Sequence, residues 1–493
     1  MVENPAYSTP DETDPKIALK GLLKHPLSYL KFLSFLNRSA DSILRRYFTD
    51  PEIFKFYDKL TSTYCYTTVK ESPAVLASVM FVDNHVGGSY YPAGSTLFLP
   101  GKLEKVIEAH GGEMLLEKEV VKILFDDGHP VGVLMKSGEK RFAKNLIYSG
   151  TVWNLYGGLI DESLPGARTA CPPRSPLKSK RIKWAREQTP TYPSVVLYTT
   201  VDKRVIPEDT APVEMLVGNP DTLDESEVRA YIFSIDDRTL CAEDEQTVIA
   251  IGPTFEKWEE LADEAYGTRK ERERARLIGV LEHRFPGFAK AVRFSEVATP
   301  RTIERYTMKN GGAVAGPKQS LGQHMFRRLH TRTEWDTLFC CGESTVMGTG
   351  TPTVTTSGIS AANAILKTLN LEPFVYRKSM KNYVRIVGHP YTRDHLYSDW
   401  PEEEKNAALA ANRCQLCERP GCMVAFALDI RGIMRRVAVG NVAGAKRVVD
   451  RYYAHRRFEE GDLLEAEKRC VRNDWHEPPV AIRAVVAYLR GLR

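Results

Sequence analysis

The sequence predicts a mixed α/β chain that ends in a small all-α unit, and three stretches carry that prediction. Residues 90–150 read as a helix, a β-hairpin and a return strand joined by tight glycine turns. Residues 338–366 read as a short apolar strand, a glycine-rich loop and a helix opening with small residues. Residues from about 406 onward read as helices, basic around 435–457, and hold Cys414, Cys417, Cys422 and Cys470.

A chain of 493 residues is too long for one ordinary core, so two or three domains are expected. Apolar residues make up 43% and charged residues 27%, the balance of a folded soluble protein. The net charge of +5, from 68 basic and 63 acidic residues, gives no reason to expect a nucleic-acid partner. Met1-Val-Glu-Asn-Pro has neither the basic nor the apolar region of a secretory signal. No run approaches the ~18 apolar residues of a membrane span. A cytoplasmic protein, with peripheral membrane contact as an option, is the expectation. Cys65, Cys171 and Cys241 are scattered and read as buried thiols of an intracellular protein.

In chain order, residues 1–16 are polar and are expected to be disordered. Residues 16–37 form two short helical pieces divided at Pro26. Leu27, Leu30, Leu33 and Leu36 recur at helical spacing, with Phe32 and Phe35 widening the apolar side. This helix is expected to pack on its own domain; the alternative is a basic helix on a membrane surface. Asp41 is placed as the cap of a helix over 42–48. Pro92 and Gly94 make a turn, residues 99–110 a helix, and residues 119–125 and 131–136 the hairpin strands. Residues 142–148 are the return strand. Residues 151–330 alternate strands and loops around one long charged helix near 256–285, read as a solvated face over a sheet. Residues 370–408, with Pro373, Pro390 and Pro401, read as a linker.

The most informative motif is Leu338-Phe-Cys-Cys-Gly342-Glu343-Ser-Thr-Val-Met-Gly348-Thr-Gly350-Thr351-Pro352, continuing to Gly358-Ile359. An acid at a strand's C-terminal end can hold a ribityl or ribose hydroxyl. Glycines let backbone N–H groups approach a pyrophosphate, and a helix N-terminus offers partial positive charge to an anion. A glycine loop feeding an ordinary helix accounts for the same pattern equally well.

The whole stretch resembles the C-terminal flavin motif of the phytoene desaturase, carotenoid isomerase and retinol saturase family. Tyr90-Tyr-Pro-Ala-Gly94, Phe285-Pro-Gly287, Thr299-Pro300-Arg-Thr-Ile-Glu304-Arg305 and Gly311-Gly312 follow that family's order, so the resemblance covers roughly residues 35–370. It implies FAD and a long apolar, polyene-like substrate. Carried over, Glu343 with Gly342 matches the acidic flavin contact, where Asp is more usual. Gly350, Thr351 and Pro352 match the loop beside the isoalloxazine ring. Gly358 and Ile359 match the helix start near its pyrimidine end, and Val120 matches the valine whose backbone meets the adenine. No side chain in these segments is a clear acid or base, so no catalytic residue is assigned; in this family the flavin accepts the hydride. The family's Gly-x-Gly-x-x-Gly unit is not found in this sequence: Gly348-x-Gly350 lacks the third glycine. The resemblance therefore implies an incomplete Rossmann-like FAD-binding domain. A separate nucleotide-binding subunit, or another redox partner protein, would complete it. Amine oxidases share the C-terminal motif and are the other flavoenzyme reading.

Cys414-Gln-Leu-Cys417-Glu-Arg-Pro-Gly-Cys422 places three thiols at C-x2-C-x4-C spacing, and Cys470 is the one cysteine downstream to complete a set of four. These pieces, with Asp429-Ile430-Arg-Gly-Ile-Met and Glu477-Pro478-Pro479, resemble the helical iron–sulfur domain of the glutamate synthase small subunit and dihydropyrimidine dehydrogenase. That family carries two 4Fe–4S clusters. Cys414, Cys417, Cys422 and Cys470 match the first. The second set is lost together, Phe426-Ala427 standing at its Cys-Pro and an apolar residue near Val486 at its late polar ligand. One cluster is implied; zinc on four cysteines, or no metal, are the alternatives.

The expected architecture is an α/β (α+β) flavoprotein with an inserted mixed-sheet substrate domain and a C-terminal all-α iron–sulfur domain. Residues 1–35 form an N-terminal segment, 36–85 and 160–300 the substrate domain, and 86–159 and 301–369 the partial FAD domain. Residues 370–407 form the linker and 408–493 the helical cluster domain. The expected activity is an FAD-dependent oxidoreductase or isomerase with an electron-relaying cluster, or else a non-catalytic subunit docking to a separate flavoprotein.

Overall fold

The computed structural model describes residues 6–86, 88–160, 176–380, 382, 384–388, 390–424, 428–455 and 459–492. The chain opens with helices α1 (Pro15–Lys24), α2 (Pro26–Phe35), α3 (Ala40–Leu44), α4 (Pro51–Cys65), α5 (Ala74–Val86) and α6 (Phe98–Ala109). Strands β1 (Val120–Asp126), β2 (His129–Met135), β3 (Lys140–Phe142) and β4 (Leu146–Tyr148) follow, then α7 (Val152–Asn154) and α8 (Pro176–Arg186). Next come β5 (Ser194–Asp202), β6 (Val213–Leu216), β7 (Val228–Tyr231), β8 (Glu245–Pro253), α9 (Asp263–Arg284), α10 (Phe288–Ala291), β9 (Val292–Ala298) and α11 (Pro300–Thr307). Strand β10 (Leu338–Cys340) leads into α12 (Thr351–Thr368). The chain ends in α13 (Glu402–Ala411), α14 (Ile430–Ala438), α15 (Val442–His455), α16 (Glu460–Lys468) and α17 (Ile482–Gly491).

These elements form two units. The first comprises Met1–Ser89, Lys118–Ile232 and Asp244–Arg385; the second comprises Tyr90–Glu117, Phe233–Glu243 and Ile386–Arg493.

The first unit is built on a five-stranded antiparallel sheet of order β6-β7-β8-β5-β9. Strand period explains its core: Val195, Leu197, Thr199 and Val201 alternate along β5 and are all buried. Helix α9 is buried along Leu277 and Leu281, with Phe285 buried at its end. Each such side chain contributes about 1.5–3 kcal/mol. The charge run of α9 is not wholly solvated, contrary to expectation. Arg269 and Glu273 are buried, and Glu273 pairs with both Arg269 and Arg276. The hairpin forms a second sheet, β1-β2-β3, and the return strand divides. Residues 140–142 stay with the hairpin, while 146–148 leave it and pair in parallel with β10. Ile123 and Phe125 share one face of β1 and join Leu155, Tyr156, Leu329, Leu338 and Cys340 in one core.

Three expectations at the N-terminus are corrected. Residues 9–12 are docked: Thr9 is buried against Ser360 and Thr331, and Asp11 accepts the Thr331 N–H. Short hydroxyl and carboxylate side chains make these bonds, and composition alone does not show them. Helix α3 is capped by Ser39, which accepts the Ser42 N–H, while Asp41 sits in the first turn and pairs with Arg45. Helix α2 buries no residue: Leu27 is 80% and Leu30 61% exposed, so its leucines do not face a core.

In the second unit α14 and α17 are amphipathic at helical spacing. Ile430, Ile433, Met434 and Val437 on one, and Ile482, Val485, Val486 and Leu489 on the other, meet in one core with Val449, Leu463 and Ala466. Helix α6 belongs here and not with the hairpin that follows it. Arg435 donates to both Glu104 carboxylate oxygens at 2.9 and 2.8 Å, and Arg436 donates to Glu108 at 2.7 Å. The stretch read as a linker also contributes, because its aromatic residues are apolar enough to pack. Leu396 and Tyr397 are buried, the Tyr397 hydroxyl donates to the Ala438 carbonyl at 2.7 Å, and α13 begins at Glu402. Among the described residues no helix is long and apolar enough to cross a membrane.

Candidate functional site

Strand β10 lies parallel to β4 with Leu338, Phe339 and Cys340 opposite Leu146, Ile147 and Tyr148. Cys340 is buried and Cys341 extends the pairing by donating its N–H to the Tyr148 carbonyl at 2.9 Å. The chain then turns at Gly342, which has φ +89° and where an added Cβ would stand 2.8 Å from the Ser149 carbonyl oxygen. No L side chain fits there without strain. Its N–H donates to the Ser357 hydroxyl at 2.8 Å, tying the turn to α12.

Glu343 follows at the strand's end. Its carboxylate accepts from Lys309 Nζ at 2.8 Å, and the same ammonium reaches the Val314 carbonyl at 2.9 Å. Arg328 holds the loop from beneath. Its Nε donates to the Thr345 carbonyl, Nη1 to Pro317 and Nη2 to Glu343, at 2.8, 2.8 and 2.6 Å, and the residue is 1% exposed. Burial lowers its pKa to about 10, and Glu343 acts in the opposite direction. Past Gly348, Gly350 stands at the N-cap of α12 and Thr351 and Pro352 open the helix, with no side chain capping its first turn.

The structure therefore gathers Gly342, Glu343, Gly350, Thr351 and Pro352 into one strand–loop–helix. Gly358 and Ile359 are not at a helix start: α12 begins at Thr351, so both stand two turns inside it. Val120 opens β1, in the three-stranded sheet, opposite Met135. Lys309 and Arg328 were missed by sequence reasoning. Nothing in Arg327-Arg328 tells which guanidinium turns inward, and Lys309 is one lysine among many. An acid at a strand end, an open helix N-terminus and a loop on its own buried cation suit the ribityl or pyrophosphate part of a flavin nucleotide.

In the second unit Cys414, Cys417, Cys422 and Cys470 line one cavity, together with Ile430, Met434 and Val480. The cysteine loop leaves α13 at Asn412, and the Cys414 N–H donates to the Ala411 carbonyl at 3.0 Å. At Gly421 an added Cβ would stand 2.6 Å from the Arg469 carbonyl oxygen, so only glycine lets this loop approach the segment that carries Cys470. Arg431 donates to the Cys417 carbonyl at 3.0 Å. Burial, and then the charges of Cys414, Cys470 and Cys417, push the Cys422 thiol up to about 12; burial also raises Cys414. Phe426-Ala427 lie outside the described residues, and Val486 is buried in the α17 core. Among the described residues no three His, Cys, Asp or Glu side chains converge closely enough to hold a single metal ion. Cys65 is buried and Cys241 half-buried, while Cys171 lies outside the described residues.

No known family profile matches the chain. It is 28% identical over 354 residues to the chloroplastic prolycopene isomerase of Arabidopsis thaliana, covering 70% of this chain and 57% of that protein. It is 26% identical over 283 residues to the neurosporene-forming phytoene desaturase of Cereibacter sphaeroides, covering 54% and 52%. Among solved structures, an oxidoreductase from Methanosarcina mazei superposes with a TM-score of 0.48 at 17% identity, covering 66% of this chain and 68% of that one. The chain is similar in sequence to prolycopene isomerases and phytoene desaturases, and it spans little more than half the length of these curated relatives.

Proposed function

We propose that the chain is an FAD-dependent oxidoreductase or isomerase acting on a long apolar, polyene-like substrate. The observation that carries the reading is the strand–loop–helix of residues 338–368, on a chain homologous to carotenoid desaturases and isomerases. Glu343 would hold a ribityl or ribose hydroxyl, and the open N-terminus of α12 would face the anionic part of the nucleotide. Bound FAD supplies the acceptor for a hydride from an allylic C–H. Lys309 pairs with Glu343 and orients it, and Arg328 fixes the loop from which it projects. The exposed leucines of α2 beside Lys24 and Lys31 suit contact with a membrane surface from which such a substrate comes.

In the second unit, Cys414, Cys417, Cys422 and Cys470 would hold one 4Fe–4S cluster, which supplies one-electron transfer. Their common cavity supports this. A second reading, a subunit that lends its cluster to a separate flavoprotein, is favoured by the Lys309 ammonium already occupying Glu343.

The test is an anaerobic incubation of the purified protein with FAD and a poly-cis carotenoid, followed by chromatography of the polyene. New isomers or desaturated products that require FAD support the enzyme reading. FAD binding without turnover supports the partner-dependent one, and no FAD binding contradicts the first.

A further inference from the structure

In the first unit, away from the flavin-type loop in sequence, β7 buries a cation that no carboxylate answers. Arg229 faces the same side of β7 as Glu227 and Tyr231, because side chains alternate along a strand. It is 6% exposed. Its Nη1 donates to the Thr63 carbonyl at 2.9 Å, and its guanidinium lies over the Tyr66 ring at 5.7 Å. Its Nε is buried without a hydrogen-bond partner.

Glu227 does not neutralise it. That carboxylate is paired with Lys59 at 3.2 Å and accepts the Ser62 hydroxyl at 2.8 Å. Among the described residues no carboxylate stands within ion-pair distance of Arg229. Tyr66, Tyr192 and Tyr231 offset the burial of this guanidinium, but they leave its Nε without a partner, and an anion would supply one.

Two aromatic rings flank the cation. Tyr66 and Tyr192 meet edge to face at 5.4 Å, and the Tyr192 hydroxyl is fixed on the Ser62 carbonyl at 2.8 Å. Tyr66 closes α4 in the left-handed region, at φ +58°, a conformation that costs a non-glycine residue about 1 kcal/mol and recurs at ligand clamps. Burial raises the Tyr66 phenol, and the Arg229 guanidinium, which donates to its hydroxyl, acts the other way.

We propose that Arg229, framed by Tyr66 and Tyr192, receives the carboxylate end of a long apolar substrate. A carboxylate matches the planar fork of a guanidinium and completes the Nε that the fold leaves open. The aromatic rings suit the apolar chain that follows the carboxylate. The inference rests on the reading that this unit takes long apolar molecules, and it names the polar end by which they are held.

All-trans retinoate and all-trans retinol, which share a polyene and differ in the end group, test it by absorbance titration of the whole protein. The wild type should bind retinoate at least about tenfold more tightly than retinol. Arg229→Gln should abolish that preference while leaving retinol affinity within about twofold, and Arg229→Lys should keep part of it. Equal affinities in the wild type overturn the inference even if the glutamine variant does not fold, and leave the apolar-substrate reading standing. Failure to bind either polyene removes both. A changed flavin potential in Arg229→Gln with the retinoate preference intact assigns the cation to reduced flavin instead, and overturns it as well.

Discussion

Around Glu343 the polar groups already have partners within the chain: Lys309 on the carboxylate, Arg328 on three carbonyls, Ser357 on the Gly342 N–H. Around the cysteines four thiols line one cavity, and burial first, then neighbouring thiols, raises Cys422 and Cys414. The first arrangement is organised before any ligand arrives. If the second holds the proposed cluster, its thiols must lose protons, and burial opposes that loss until positive charge enters. Metal ions supply such charge, and a thiolate bound to one stays deprotonated. The flavin-type loop should therefore keep its shape without a cofactor, whereas the cysteine loops should depend on what they bind.

The largest effect expected from breaking this contrast is at the cysteines. Cys470→Ser should reduce bound iron from about four per chain to below one, read by iron and labile-sulfide assays. The first unit's unfolding should be unchanged. An unaltered iron content would remove Cys470 from the ligand set.

At the other site the damage should come from the clamp. Arg328→Met leaves the Pro317 and Glu343 carbonyls without a partner, while the Thr345 carbonyl keeps the Gly348 N–H, and should lower the first unit's stability by about 2–4 kcal/mol in urea unfolding, with loss of FAD binding. Arg436→Met leaves the half-buried Glu108 without its main partner, though Asn441 and Arg447 remain. It should cost the second unit about 3 kcal/mol whether or not iron is bound. Glu343→Gln is milder, weakening FAD binding about tenfold while the loop holds its shape.

The smallest effect is in pH. Burial alone would raise Glu108, but hydrogen bonds from Arg436 and Asn441 outweigh it and hold the carboxyl below the usual range. An acid with a lowered folded pKa stabilises above its unfolded pKa, about 4.3, and loses that contribution as pH falls through its folded value. The second unit should therefore weaken on acidification below about pH 4.3, and Glu108→Gln should flatten that part of the stability profile.

The same contrast explains what the sequence made legible. The strand–loop–helix could be read because Gly342, Gly348, Gly350 and Pro352 mark backbone requirements that few other residues meet. The cysteine spacing could be read because thiols are rare. Side chains that act through burial were not legible. Arg328 and Arg229 look like any other arginines until the sheet and loop turn them inward, and Glu104 and Glu108 give no sign that α6 leaves the hairpin to pair with α14. Gly358 and Ile359 were placed at a helix start by the resemblance to the flavin family, but Pro352 starts the helix earlier, at a position where a proline's missing N–H costs nothing.

The most direct test of the two-site account is anaerobic purification of the full chain, followed by iron, labile-sulfide, zinc and flavin assays. About four irons and four sulfides per chain, with FAD retained near one per chain after its addition, is the predicted result. Zinc without sulfide, or a chain that takes up neither iron nor FAD, would contradict it.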